Sequence, residues 1–236
     1  RYTVFAHVVS EQGALWGQRD SEPGGGLRPT STWLPGETIQ DNYGLPVLAG
    51  TPPGAYQIEV GMYDAATGQR LPVTSADGRS QGDHLLIGPL LVARPEMPPA
   101  VAALGMQHSV NAPVGPLRLL GYSLARLGQE PASAEFAGVD LVHLTLFWQA
   151  PQQPAADLTV SVQIRDGSGR VLRQRLAKPA DGAYPTNGWA AGEVVRDQHR
   201  FGLDGLPPGV YQLAIELLET SGRRAGQATL GQVRVR

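Results

Sequence analysis

One segment of this chain occurs twice. Residues 2–41, YTVFAHVVSEQGALWGQRDSEPGGGLRPTSTWLPGETIQD, lie without a gap over residues 158–197, LTVSVQIRDGSGRVLRQRLAKPADGAYPTNGWAAGEVVRD. Pro29, Thr30, Trp33, Gly36, Glu37 and Asp41 thereby meet Pro185, Thr186, Trp189, Gly192, Glu193 and Asp197 at one constant offset. Roughly a third of the aligned positions are identical, the mark of a repeated structural unit. After a slip in register, PPGAYQIEVGMYDAATGQR lies over PPGVYQLAIELLETSGRR, and LLIGPLLVA pairs with ATLGQVRVR. The chain is therefore expected to build one kind of unit two times.

Within the unit the hydrophobic period is two. Tyr56, Ile58, Val60 and Met62 alternate with Gln57, Glu59 and Gly61, and Tyr211, Leu213, Ile215 and Leu217 repeat the pattern. Val142, Leu144, Leu146 and Trp148 form another such face. SEQGAL, DGSGRV, DAATGQ and ETSGRR read as hairpin turns, because Gly after a polar residue supplies the positive φ that the turn needs. PPG before AYQIEV and VYQLAI sets a rigid turn and releases the chain into a strand. No stretch sustains a 3.6 period, and 30 Gly with 20 Pro suit many short strands better than helices. The expected fold is all-β: two tandem Ig-like or jelly-roll-like antiparallel sandwiches, each sheet with one inward face. In LPGE and AAGE a turn follows a Trp and feeds a short strand. Gly36 and Gly192 permit that turn, and Glu37 and Glu193 are placed to satisfy nearby backbone N–H groups.

The copies are unequal. Residues 115–157 precede the second and contain good strands near 117–124 and 140–149, whereas only Arg1 precedes the first. The first sandwich is thus expected to lack its opening strands, with boundaries of 1–94 for the first repeat, 95–104 for a Pro-rich linker and 105–236 for the complete second repeat. The strand holding Tyr2, Val4, Ala6 and Val8 becomes a candidate assembly edge, since an unpaired edge invites strand addition from a neighbouring chain.

Several function classes are disfavoured. A net charge of −2 gives no basic face for nucleic acid. No apolar run reaches the roughly 18 residues of a membrane span. Cysteine is absent, removing disulfides, thiolate nucleophiles and Cys-based metal sites, and Lys178 is the single lysine. The chain opens on Arg, not Met, and shows no signal segment, which reads as a processed or excised piece of something longer. Ser123 in GYSLA echoes a nucleophile elbow, but it lies within a strand pattern and Ala125 replaces the last glycine. His7, His84, His108, His143 and His199 are scattered without zinc-type spacing. Asp64, Asp83 and Asp166 lie at turns without a calcium-loop pattern. Glu37 and Glu193 occupy equivalent places in different repeats, unlike a glycosidase pair facing one substrate. No cofactor is expected. The aromatic candidates for a binding surface are Trp16, Trp33, Tyr184 and Trp189. For Trp33 and Trp189 the alternative is a core-closing corner, and the sequence leaves both readings open.

YTVFAHV…RPTSTWLPGETIQDNYGLPV…PPGAYQIEVGMYDAATGQRLPV together with LRLLGYSL…LTLFWQA resembles a β-sandwich module found in large, multi-spanning membrane proteins of Chloroflexus-like bacteria, some of the mannosyltransferase type. The resemblance covers nearly the whole chain and implies an extracytoplasmic C-terminal appendage, sometimes in tandem; it supplies no catalytic residue. Expected, then, is a non-enzymatic extracytoplasmic module of a bacterial cell-envelope protein, acting as a spacer or as a binding domain with glycan as one ligand class. Its partners would be the rest of a larger membrane or surface protein. The alternative is a structural subunit whose partners are copies of itself, the first sandwich being completed by strand donation.

Overall fold

The computed structural model describes residues 1–126 and 135–236. It is all-β, with thirteen strands and only short 3-10 turns among the described residues. The chain divides into two compact units, Arg1–Ala93 and Arg94–Arg236.

The first unit holds β1 (Tyr2–Val9), β2 (Leu15–Ser21), β3 (Gly54–Asp64) and β4 (Leu85–Val92) in one antiparallel sheet of order β2-β1-β3-β4. The second holds β5 (His108–Val114), β6 (Leu117–Arg126), β7 (Glu135–Phe136), β8 (Leu141–Gln149), β9 (Thr159–Arg165), β10 (Val171–Ala177), β11 (Val194–Gly202), β12 (Gly209–Leu218) and β13 (Arg224–Val235). These form two sheets, β10-β9-β12-β13-β7 and β11-β8-β6-β5, antiparallel except where β7 joins β13. Both sheets feed one core: Val160, Ile164, Leu213 and Ile215 from the first meet Leu144 and Trp148 from the second. The alternating face Val142, Leu144, Leu146, Trp148 is fully buried, as its period of two requires of a strand packed on one side.

Each hairpin expected from the sequence is present, between β1 and β2, β9 and β10, and β12 and β13, while Asp64 begins the turn that carries β3 to the Tyr63–Arg70 bridge. The Asp64 carboxylate accepts from the Ala66 and Thr67 amides at 2.8 and 3.0 Å, and Asp166 does the same for Ser168 and Arg170 at 2.9 and 3.0 Å. These are capping carboxylates, Asp64 held below the usual Asp range by those amides and Asp166 chiefly by the Ser168 hydroxyl, which donates to it at 2.6 Å, with the amides adding to it.

Side-chain contacts recur at the aligned positions, before and after the one-residue slip. Tyr2 N donates to Thr30 Oγ1 at 3.0 Å and Leu158 N to Thr186 Oγ1 at 2.8 Å. Trp33 Nε1 donates to Arg28 O at 3.0 Å and Trp189 Nε1 to Tyr184 O at 3.1 Å. Gly24 N donates to Asp41 at 2.9 Å and Ala180 N to Asp197 at 3.0 Å. Tyr56 and Tyr211 each return a hydroxyl to the carbonyl four residues back, Pro52 and Pro207, at 2.7 Å. The expected roles of Glu37 and Glu193 also hold: they accept from Leu34 N at 3.0 Å and Ala190 N at 2.7 Å, with Gly36 and Gly192 both at φ +80.

Three expectations need correction. β1 is no sheet edge: Tyr2, Val4, Ala6 and Val8 lie in an interior strand whose two sides pair β2 and β3, so their backbone groups are already used. The turn after Trp33 does not feed a strand. Residues 38–46 align with β11, but β11 exists through its ladder to β8, and the first unit has no such neighbour among the described residues. The first unit holds one sheet and not the two of a sandwich. Residues 95–103, expected as part of a linker, are irregular and mostly exposed, and Leu104 at their end is buried at 1% exposure, its carbonyl accepting from Arg196 Nη2 at 2.7 Å.

Candidate functional site

The two faces of the first unit's sheet differ in chemistry. On one, Arg70 lies over the Phe5 ring at 4.2 Å and reaches Glu59 at 2.7 Å, while His7 meets Asp20 at 3.0 Å and Glu59 at 3.5 Å. The second unit covers the corresponding face of β9 and β12 with an ionic network as well: Glu216 takes Gln163 at 3.0 Å and Arg165 and Arg224 at 3.1 Å each. The opposite face is the core face in the second unit.

In the first unit that face is only partly covered, Ala6 and Val8 being buried. Val4, Ile58, Val60 and Met62 are only half-buried, whereas Val160, Leu213, Ile215 and Leu217 at the matching positions are completely buried. Leu85 and Ile87, which the register places opposite Val60 and Ile58 on the same face, are 54% and 55% exposed. One end is sealed by the chain itself. Val8, Ala14, Trp16 and Tyr56 form a small buried cluster, with Leu45, Leu90 and Val92 against it. Leu48 N donates to Trp16 O at 3.0 Å, and Gly17 is what lets this segment lie so close: a Cβ there would stand 1.9 Å from Pro46 O. Beyond that end lies a patch of Leu, Ile, Val and Met, bordered on the same face by Arg19 opposite Ala6 and by Asp64 opposite Tyr2.

The aromatic candidates separate. Trp16 is 3% exposed, its ring edge-on to Tyr56 at 6.1 Å, and Trp189 is fully buried, stacked with Tyr184 at 6.2 Å. Neither presents a face to a ligand, because segments distant in sequence fold over both. Tyr184 is half-buried; its hydroxyl donates to Glu193 at 2.9 Å and receives Arg94. Burial pushes its pKa up. Trp33 remains 36% exposed and Leu34 beside it 71%, with Arg28 paired to Glu37. These four residues lie at two equivalent corners and at one core cluster, and do not make one platform.

The other chemical candidates fall into structural places. Ser123 Oγ accepts from Gln107 N at 3.1 Å. The fully buried pair Asp197 and His199, 2.7 Å apart, cannot serve Ser123: Leu124, Leu144 and His199 share one face of their sheet, and Ser123, Thr145 and Gln198 share the other. Trp148 Nε1 completes the Asp197 cluster at 3.2 Å, a contact between β8 and β11 that single-sequence reading had no signal for. His143 is half-buried in its strand, and the partial loss of water around it, with Arg200 nearby, holds its pKa below the usual histidine value. Among the described residues no group of three or more His, Asp or Glu is placed to hold a metal ion. A shallow cleft in the second unit, about 360 Å³, is lined by Pro116, Pro154, Leu158, Glu219, Arg223 and Arg224, among others. Its charges already pair, Arg223 with Glu219 and Arg224 with Glu216. No helix among the described residues is long and apolar enough to cross a membrane.

No known protein family matches the chain in a family scan, and no curated protein matches it. Among solved structures, the chain is similar to chicken MD-1 complexed with lipid IVa, at 12% identity and a TM-score of 0.31, over 53% of this chain and 96% of that one.

Proposed function

We propose that this chain is a non-enzymatic interaction and spacer module from the extracytoplasmic part of a bacterial cell-envelope protein. It consists of two repeats of one Ig-like unit, the second a sandwich and the first a single sheet of the same kind, and the first holds another polypeptide against its open sheet face. The observation that carries this reading is the contrast between equivalent positions: Leu213, Ile215 and Leu217 are sealed, while Ile58, Val60 and Met62 are half-buried beside exposed Leu85 and Ile87. A continuous apolar face of this kind, bounded by polar structure, is the usual form of a protein-docking surface. The Ig-like assignment draws on Tyr56 and Tyr211, whose hydroxyls return to an upstream carbonyl as the corner tyrosine of such sandwiches does. The envelope location draws on the resemblance of the repeat to modules of multi-spanning bacterial membrane proteins. Non-enzymatic action is supported by the structural engagement of Ser123, Asp197 and His199.

Binding of a hydrophobic fluorophore such as ANS tests the reading. The chain is expected to bind it, and the double variant Leu85→Arg, Ile87→Arg to lose most of the signal while the second unit keeps its unfolding midpoint. A chain that gives no signal, or a variant that keeps the whole of it, would overturn the proposal.

A further inference from the structure

We infer that the occupant of the open face is a three-stranded β segment with the pattern of β5, β6 and β8. The inference rests on the reading above and adds what binds and how it docks. The internal repeat carries it, because the second unit displays the same sheet with its cover in place.

Three features of the first unit match that cover. The face is apolar along Val4, Ile58, Val60, Met62, Leu85 and Ile87. The layer lying over the equivalent positions in the second unit is apolar at every second residue of β8. Residues 38–46 align in sequence with β11 without being a strand, and in the second unit β11 pairs β8 from Val194–Gln149 to Gly202–Leu141. An incoming strand of the β8 kind supplies the missing ladder, so docking both covers the face and orders residues 38–46 as an added strand. Asp41 already holds the position and the backbone contact of Asp197. In the second unit that carboxylate also takes His199 Nε2 and the indole N–H of Trp148 on β8, whereas Asp41 turns its other oxygen to the Asn42 amide at 2.9 Å.

A second copy of the present chain is a poor source. Its own β6 and β8 are spent, with Leu119, Leu144, Leu146 and Trp148 fully buried, and withdrawing them would open one sandwich to close another. Two open sheets laid face to face would cover apolar surface yet leave residues 38–46 without a ladder. The occupant is thus a segment of the same pattern that is not already folded into a unit of its own.

The test adds a second copy of residues 105–156 directly before Arg1, which puts Arg1 in the place of Asp157. The expected results are a several-fold fall in ANS binding, a monomeric mass, and slowing of amide exchange across residues 38–46 by about a hundredfold or more, as for amides entering a sheet. Leu144→Arg in the added copy alone should restore both signals. If the fusion does not fold, the unfused chain is titrated with a peptide of residues 117–149, expected to displace ANS where a peptide of shuffled order does not. Unchanged ANS binding and unchanged exchange at 38–46 in a folded fusion, or no displacement by the peptide, would overturn the inference. The docking-surface reading would still stand, since it is read by Leu85→Arg, Ile87→Arg in the unfused chain. Loss of ANS binding by the unfused chain as its concentration rises, with a doubled mass, would make a second copy the occupant and equally overturn it.

Discussion

Asp197 accepts from Ala180 N, Trp148 Nε1 and His199 at complete burial, while Asp41 in the same position of the first unit accepts from Gly24 and Asn42 amides at partial exposure. The physical cost of losing the carboxylate follows the burial of the donors it leaves behind. Asp197→Ala should therefore cost about 3–5 kcal/mol and Asp41→Ala about 1 kcal/mol, measured as shifts of the two units' urea midpoints. His143 gives the second unit an acid limb. Its folded pKa lies below the unfolded value near 6.5, mainly because burial disfavours the charged ring. The unfolded chain then binds the extra proton, so stability is full above about pH 6.5 and is lost as pH falls from there through the lower folded pKa. His143→Gln should differ little in its pH response from the parent at pH 8 and lose less stability between pH 6.5 and 5, read from denaturant melts of the second unit. The corner bonds of Glu37 and Glu193 were legible from a Gly-Glu pair after a Trp, because a turn and its capping carboxylate are local. The exposure of the Trp was not, since it depends on what else packs there.

At the scale of elements, VVRDQHRFG at 194–202 is a strand and TIQDNYGLP at 38–46 is not, although each follows the same turn. Strand formation is decided by a neighbour, and β8 is present for one segment only. The same non-locality explains β1: its alternating pattern says that it is a strand, not whether one side or both are paired. A second difference sits at Gly17 and Arg173. Gly17 lets Pro46 close over Trp16, whereas Arg173 reaches across and donates to Asp204 O at 2.5 Å. Gly17→Val should push residues 45–48 off β2 and cost the first unit about 1–3 kcal/mol, with red-shifted emission from Trp16 and no change in the second unit's midpoint.

The two units carry very different cores. The first has one cluster of four buried side chains, Val8, Ala14, Trp16 and Tyr56, and the second a core drawn from both of its sheets. Burial of apolar surface is the main favourable term in folding, so the chain should not unfold in a single step. Two transitions are expected in urea, the earlier one shallower and reported by Trp16, the later one steeper and reported by Trp148 and Trp189. One transition seen identically by all probes would contradict this. Extending the chain with residues 105–156 should bring the earlier transition toward the later.

Period-two patterning, paired turn signals and a repeated Trp-Gly-Glu corner determined by themselves that the chain is all-β, where its hairpins fall and which residues cap its turns. These are properties of residues close in sequence, governed by backbone geometry and side-chain alternation. Only the tertiary structure decided that Trp16 and Trp189 are buried, that residues 2–9 form an interior strand, that Leu104 is buried, and that one of two related sheets is left open on its core face. Burial and pairing depend on partners far along the chain, and a repeated sequence does not carry its missing neighbours with it.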